Sequence, residues 1–219
     1  WHLQLRAASV STQVKDAYRD KFAGVIGIHW RTEEIRPNVE AFALTARDPK
    51  NAPAAGSLYH RHCAERYGAA AAMELGPLLL RFETEQQLGN LRSGEYYPYD
   101  PSWGRVTPDL ADKLKNAIGL VQRLENSLPA TSPQRKNLAW LADNFRFTLL
   151  LDEVSRKIEP AYVLKYKSFL GPTEAGTRLA EAIAARQELD AAPMAELFQT
   201  YARRVRSRGE LGELSALNQ

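Results

Sequence analysis

Gly24-Val25-Ile26-Gly27-Ile28-His29-Trp30-Arg31-Thr32-Glu33-Glu34-Ile35-Arg36-Pro37-Asn38 is the stretch on which the fold of this chain turns. Its apolar half is too short for a helix and carries two glycines, so it reads as a buried strand. The polar cluster that follows then sits at the strand's carboxyl end. In α/β architectures that end faces a crevice lined by side chains from several strands, and ligands bind there.

The flanking sequence extends the pattern. Residues 11–22 have Val14, Ala17, Tyr18 and Phe22 spaced for one face of an amphipathic helix, with Ser11 or Thr12 to cap it. Before them Leu3, Leu5 and Ala7 alternate with Gln4 and Arg6, as in a strand. Strand, helix and strand in that order predict a βαβ unit. Beyond Trp30 a polar loop leads to Pro37, which suits the first turn of a helix over 38–46. Two strands make neither a barrel nor a covered sheet, and the remaining sequence offers no third convincing strand. With Trp1 at the start and Asn218-Gln219 at the end, the expectation is a fragment or a processed product of a larger α/β protein.

The run from Gly24 to Asn38, followed by an alanine-rich helical tail that contains Cys63-Ala64-Glu65-Arg66-Tyr67-Gly68 and Ser207-Arg208-Gly209-Glu210-Leu211-Gly212, resembles the carboxyl-terminal part of certain bacterial glycoside hydrolases. The resemblance implies that residues 1–50 are the end of a (β/α)₈ catalytic barrel and residues 51–219 a helical carboxyl-terminal domain. It also implies an oligo- or polysaccharide as the partner, with the rest of the barrel supplied by another segment or another copy of the chain.

Composition sets the outer bounds. At 219 residues, 44% hydrophobic and 25% charged, the chain is long enough for one or two domains with a core and has the make-up of an ordinary globular protein. Its 29 basic residues nearly balance 26 acidic ones, and a net charge of +3 gives little reason to expect a polyanionic partner. The single Cys63 forms no intrachain disulfide, and no apolar run approaches the roughly 20 residues of a membrane span. None of this fixes a compartment.

From residue 57 onward the pattern is helical. Helices are expected over 57–67, stopped by Gly68, and over 69–88, kinked or divided at Gly76-Pro77. Thr107-Pro108 and Ser132-Pro133 are start signals for two more, the second broken or bent at Pro160, and shorter helices follow over 173–189 and 193–207. The expected fold is therefore mainly α, a βαβ remnant of an α/β barrel followed by a bundle-like helical domain.

Candidate chemistry centres on the strand end. Trp30 is suited to stack on a pyranose ring and Arg31 to bind hydroxyls or a uronate, with His29 as a hydrogen-bonding pocket wall. The alternative is that Trp30 packs beneath the helical domain while Arg31 pairs with Glu33 or Glu34. Those two glutamates are the candidate catalytic carboxylates, although adjacent residues on an extended segment point apart and do not readily flank one glycosidic bond. Tyr96, Tyr97, Tyr99 and Trp103, with Glu95, Asp100 and Arg105, have the composition of a sugar-binding loop or equally of a packed interface.

Other chemistries find weaker support. His60 and His62 lie about 200° apart on a helix, so with Cys63 and Glu65 they are poor metal ligands, and neither a metal nor an organic cofactor is expected. A nucleophile elbow and a phosphate-binding glycine loop are both absent from the sequence. Arg203, Arg204, Arg206 and Arg208 cluster near a helix carboxyl end, where the macrodipole favours cations, so nucleic acid is not expected as a partner. The competing function is a non-catalytic helical interaction module.

Overall fold

The structure is a computed structural model that describes residues 3–28, 33–85, 88, 91, 105–169 and 175–217. It is mainly helical, 76% helix, and the described residues contain nine helices and no strand. These are α1 (Ala7–Arg19), α2 (Arg36–Arg47), α3 (Ala55–Tyr67), α4 (Ala69–Thr84), α5 (Pro108–Asn126), α6 (Pro133–Phe169), α7 (Ala175–Asp190), α8 (Met194–Arg204) and α9 (Arg208–Leu217). The chain divides into two compact units, one of residues 2–90 and 116–142, the other of residues 91–115 and 143–219.

In the first unit, α3 and α4 form an antiparallel hairpin. Gly68 turns the chain at φ 96° and ψ 156°, a conformation closed to residues with a Cβ, and its N–H closes α3 on the Ala64 carbonyl. The helices approach closely, because a Cβ on Gly76 would lie 3.1 Å from the His60 Cα. Helix α1 packs on α2, α3 and α4, and Glu83 of α4 caps it by accepting hydrogen bonds from Ala8 N (3.0 Å) and Ser9 N (2.9 Å). The Tyr59 hydroxyl donates to the same carboxylate at 2.7 Å. Burial first, then Glu83, pushes the Tyr59 phenol well above its usual range. Leu58, Tyr59, Leu75, Leu79, Phe82, Leu138 and Leu141 are buried in this unit.

The expected βαβ unit is not what the described residues form. Residues 3–6 have the predicted alternation, with Leu3 and Leu5 buried and Gln4 and Arg6 exposed, but among the described residues no strand lies beside them. The Asn38 side chain takes that place: its Oδ1 accepts from Arg6 N at 2.8 Å and its Nδ2 donates to Gln4 O at 2.7 Å. One side-chain amide thus pairs two of the backbone groups that a neighbouring strand would have used, and the Glu34 carbonyl takes a third, Gln4 N. The helix predicted over 11–22 begins at Ala7 and ends at Arg19, because Glu83 supplies a tertiary cap that no local pattern announces. Residues 24–28, read as a buried strand, are exposed.

Of the two outcomes expected at each of two prolines, a kink or bend and a division, the division does not occur. Helices α4 and α6 run on through Pro77 and Pro160. Each proline is exposed, as is the residue four positions earlier (Met73 and Arg156), whose carbonyl a proline leaves without its N–H donor.

In the second unit, Phe147, Leu151 and Val154 of α6 pack with Leu197 and Tyr201 of α8 and Leu217 of α9. Helix α9 falls where the sequence reading placed no element. A capping box opens it: Ser207 Oγ accepts from Glu210 N at 3.3 Å, and Glu210 Oε2 accepts from Ser207 N at 2.7 Å and Arg206 N at 2.6 Å. The signal was present as Ser-x-x-Glu, within the Ser207 to Gly212 segment on which the family resemblance partly rested.

Candidate functional site

The candidate carboxylates stand at the bend that enters α2. Glu33 is partly buried and accepts a hydrogen bond from Arg66 Nη2 of α3, while Arg36 Nη1 lies 3.8 Å from its other oxygen. Arg36 Nε donates to Glu40 Oε1 at 2.9 Å, and Glu40 Oε2 lies 2.7 Å from His62 Nδ1. The cluster ties α2 to α3 through alternating charges. Arg66 is fixed further by the Trp140 ring, 5.3 Å from its guanidinium carbon, and its backbone carbonyl accepts from Asn137 Nδ2 at 2.9 Å. The Glu34 side chain is buried, and its carbonyl accepts from Gln4 N at 3.3 Å. The two glutamates thus have separate surroundings, one in the ion-pair cluster and one in the interior.

Burial within the cluster opposes ionisation of Glu40, but the hydrogen bond and electrostatic attraction of His62, followed by those of Arg36, outweigh it and hold the carboxyl below the usual glutamate range. Cys63, on the next residue of α3, is fully buried, and burial followed by the charge of Glu40 pushes its thiol up to about 12. That thiol is therefore no nucleophile at neutral pH. His60 is exposed while His62 is buried against Glu40, in keeping with their opposed directions on the helix. Among the described residues, no three His, Cys, Asp or Glu side chains are grouped to hold a metal ion.

His29, Trp30 and Arg31, and with them Tyr96, Tyr97, Tyr99 and Trp103, lie outside the described residues. Of the arginine group near the end of α8, in the second unit, Arg204 is buried while Arg203, Arg206 and Arg208 are exposed. Arg203 holds both oxygens of Asp143 at 3.0 Å, and Arg204 is buried with its guanidinium carbon 4.7 Å and 4.8 Å from the Phe147 and Tyr201 ring centroids.

A second feature of the first unit was misread in the sequence. Of the ten large hydrophobic side chains exposed among the described residues, six fall between residues 18 and 39: Tyr18, Phe22, Val25, Ile26, Ile28 and Val39. The chain enters this stretch through a Schellman motif, with Lys21 at φ 59°, Lys21 N donating to Tyr18 O at 3.2 Å and Phe22 N to Ala17 O at 3.0 Å. Lys21 takes the left-handed place that glycine usually fills, and Phe22, whose side chain commonly folds back on such a helix end, is 69% exposed. No helix is long and apolar enough among the described residues to cross a membrane. Comparison with protein-family models, curated proteins and solved structures finds no match to this chain.

Proposed function

We propose that this protein is a non-catalytic helical interaction module, whose exposed apolar stretch between α1 and α2 docks a protein partner. The observation that carries the reading is the exposure of Ile26 and Ile28, 88% and 77%, beside Phe22. Leaving three large apolar side chains in water on one short segment is unfavourable, by about 1.5–3 kcal/mol for each one that a partner would fully bury. The ion-pair cluster around Glu33 has a supporting part, fastening α2 against α3 and so fixing the end of the docking segment that leads into α2.

The strand-forming character of residues 24–28 belongs to the same proposal: it is kept for a partner, in place of a sheet within this chain. In the competing carbohydrate-active reading, residues 29–34 and the tyrosine-rich loop contact a glycan. The two readings separate in one experiment. A photo-crosslinker placed at Phe22 (Phe22→p-benzoylphenylalanine) in the full chain is expected to trap a protein from an extract of the source cells. The purified trapped protein should then bind Ile26→Ser at least tenfold more weakly, with helix content unchanged. Binding to a polysaccharide panel with no protein trapped would overturn the proposal.

A further inference from the structure

The two helix pairs of the first unit are held in different ways. Helices α3 and α4 bury Leu58, Tyr59, Tyr67, Leu75, Leu79 and Phe82. Among the described residues of α1 and α2, Val14 is the one large aliphatic side chain that is buried, and the other buried positions are Ala7, Ser11, Pro37, Ala41 and Thr45. Leu3, Leu5 and Ile35 are buried where the chain enters these helices, whereas Val10, Phe42 and Leu44 within them are half-buried. Regions with few buried apolar side chains are the ones that open at lowest cost. Polar contacts supply much of what fastens this pair. At the start of α1, Ala7 N donates to the Tyr59 hydroxyl at 3.4 Å, while Ala8 N and Ser9 N donate to Glu83 at 3.0 Å and 2.9 Å. On the α2 side, Glu40 lies 2.7 Å from His62 Nδ1, and Glu33 in the bend before α2 meets Arg66.

We infer that α1 and α2 form an arm that opens from the α3–α4 hairpin as one cooperative unit, latched by Glu83 at the start of α1 and by the Glu40–His62 and Glu33–Arg66 contacts at α2. The two helices are tied to each other independently of these latches. They pack together, Thr45 Oγ1 donates to Ser11 Oγ at 2.9 Å in their buried seam, and Asn38 of α2 holds Arg6 N at 2.8 Å and Gln4 O at 2.7 Å just ahead of α1. Loss of either latch therefore loosens both helices. Opening parts Tyr59 and Glu83 from α1 and His62 from Glu40. Once detached, helices of 13 and 12 residues are marginal in water and melt, so their amides report each opening. The arm needs no partner to open, which makes its behaviour testable apart from the docking proposal.

The experiment is amide hydrogen exchange of the full chain by itself, followed residue by residue at low urea concentrations. In the wild type, the amides of residues 11–19 and 40–47 are expected to share one opening and one dependence on urea, and to exchange at least tenfold faster than those of residues 59–67 and 73–84. Glu40→Gln should then speed exchange at least threefold in α1 as well as in α2, although the substituted residue belongs to α2 alone. Glu83→Gln should do the same in the reverse direction, reaching α2 from a latch on α1. Amides of α1 and α2 as well protected as those of α3 and α4 would overturn the arm, and the wild-type rates settle that point without any variant. Exchange that quickens only in the helix whose latch was altered would overturn the cooperative unit.

Discussion

At the scale of single residues, two side chains set local energetics that the composition does not reveal. Lys21 holds a left-handed conformation at the end of α1, which costs a residue with a Cβ about 1 kcal/mol or more. Lys21→Gly is expected to stabilise the protein by about 0.5–1 kcal/mol in urea unfolding, part of the relief being offset by the freer unfolded chain. A lower urea midpoint would show that Lys21 contributes contacts that outweigh its backbone conformation. Glu40 supplies a pH dependence. Its carboxyl titrates lower in the fold than in the unfolded chain, so its stabilisation is complete above the ordinary glutamate pKa of about 4.3 and fades as pH falls through the lower folded value. Glu40→Gln should therefore cost about 1–2 kcal/mol at pH 7 and progressively less below about pH 4. A difference of the same size at pH 3 and pH 7, from urea midpoints, would remove the His62 and Arg36 contacts as its cause. Which partners Glu40 would meet was not legible, because His62 lies 22 residues away on another helix.

At the scale of elements, the helices followed their sequence signals where those signals were local. Thr107 Oγ1 caps α5 by accepting from Leu110 N at 3.2 Å, and Gly68 ends α3, both as their residue types require. The α3–α4 hairpin adds a demand that propensity alone would misjudge. Alanine is favoured over glycine in a helix by about 1 kcal/mol, yet Gly76→Ala should destabilise by about 1–2 kcal/mol, because its Cβ would sit 3.1 Å and 3.3 Å from backbone atoms of His60. A thermal melt in which Gly76→Ala exceeds the wild type would show that the hairpin opens without cost. For α9, Glu210→Ala should cost about 1–2 kcal/mol by releasing the amides of Arg206 and Ser207, and exchange at those two amides reads it directly. Unchanged protection there would mean that packing of Leu217 alone holds the helix.

For the whole molecule, the expected far-UV circular dichroism is that of a mainly helical protein, with minima at the two helical wavelengths. A spectrum dominated by β-structure would contradict the fold. Helices were readable because their signals are carried within a few residues: periodic apolar positions, a capping Thr or Ser, a proline in the first turn, a glycine at the end. The strands were not decided in that way. An apolar run of five residues has the same appearance whether a sheet covers it or not, and only the tertiary structure showed Asn38 pairing the backbone of residues 3–6 and left residues 24–28 in solvent. The site followed the same division. Sequence alone supplied the expectation that Glu33 and Glu34, as neighbours on an extended segment, point apart, whereas the structure places them in the bend and turn that enter α2. That Glu33 meets Arg66 and Arg36 while the Glu34 side chain is buried was decided by packing α2 on α3, since a side chain's charge partners depend on contacts between segments far apart along the chain.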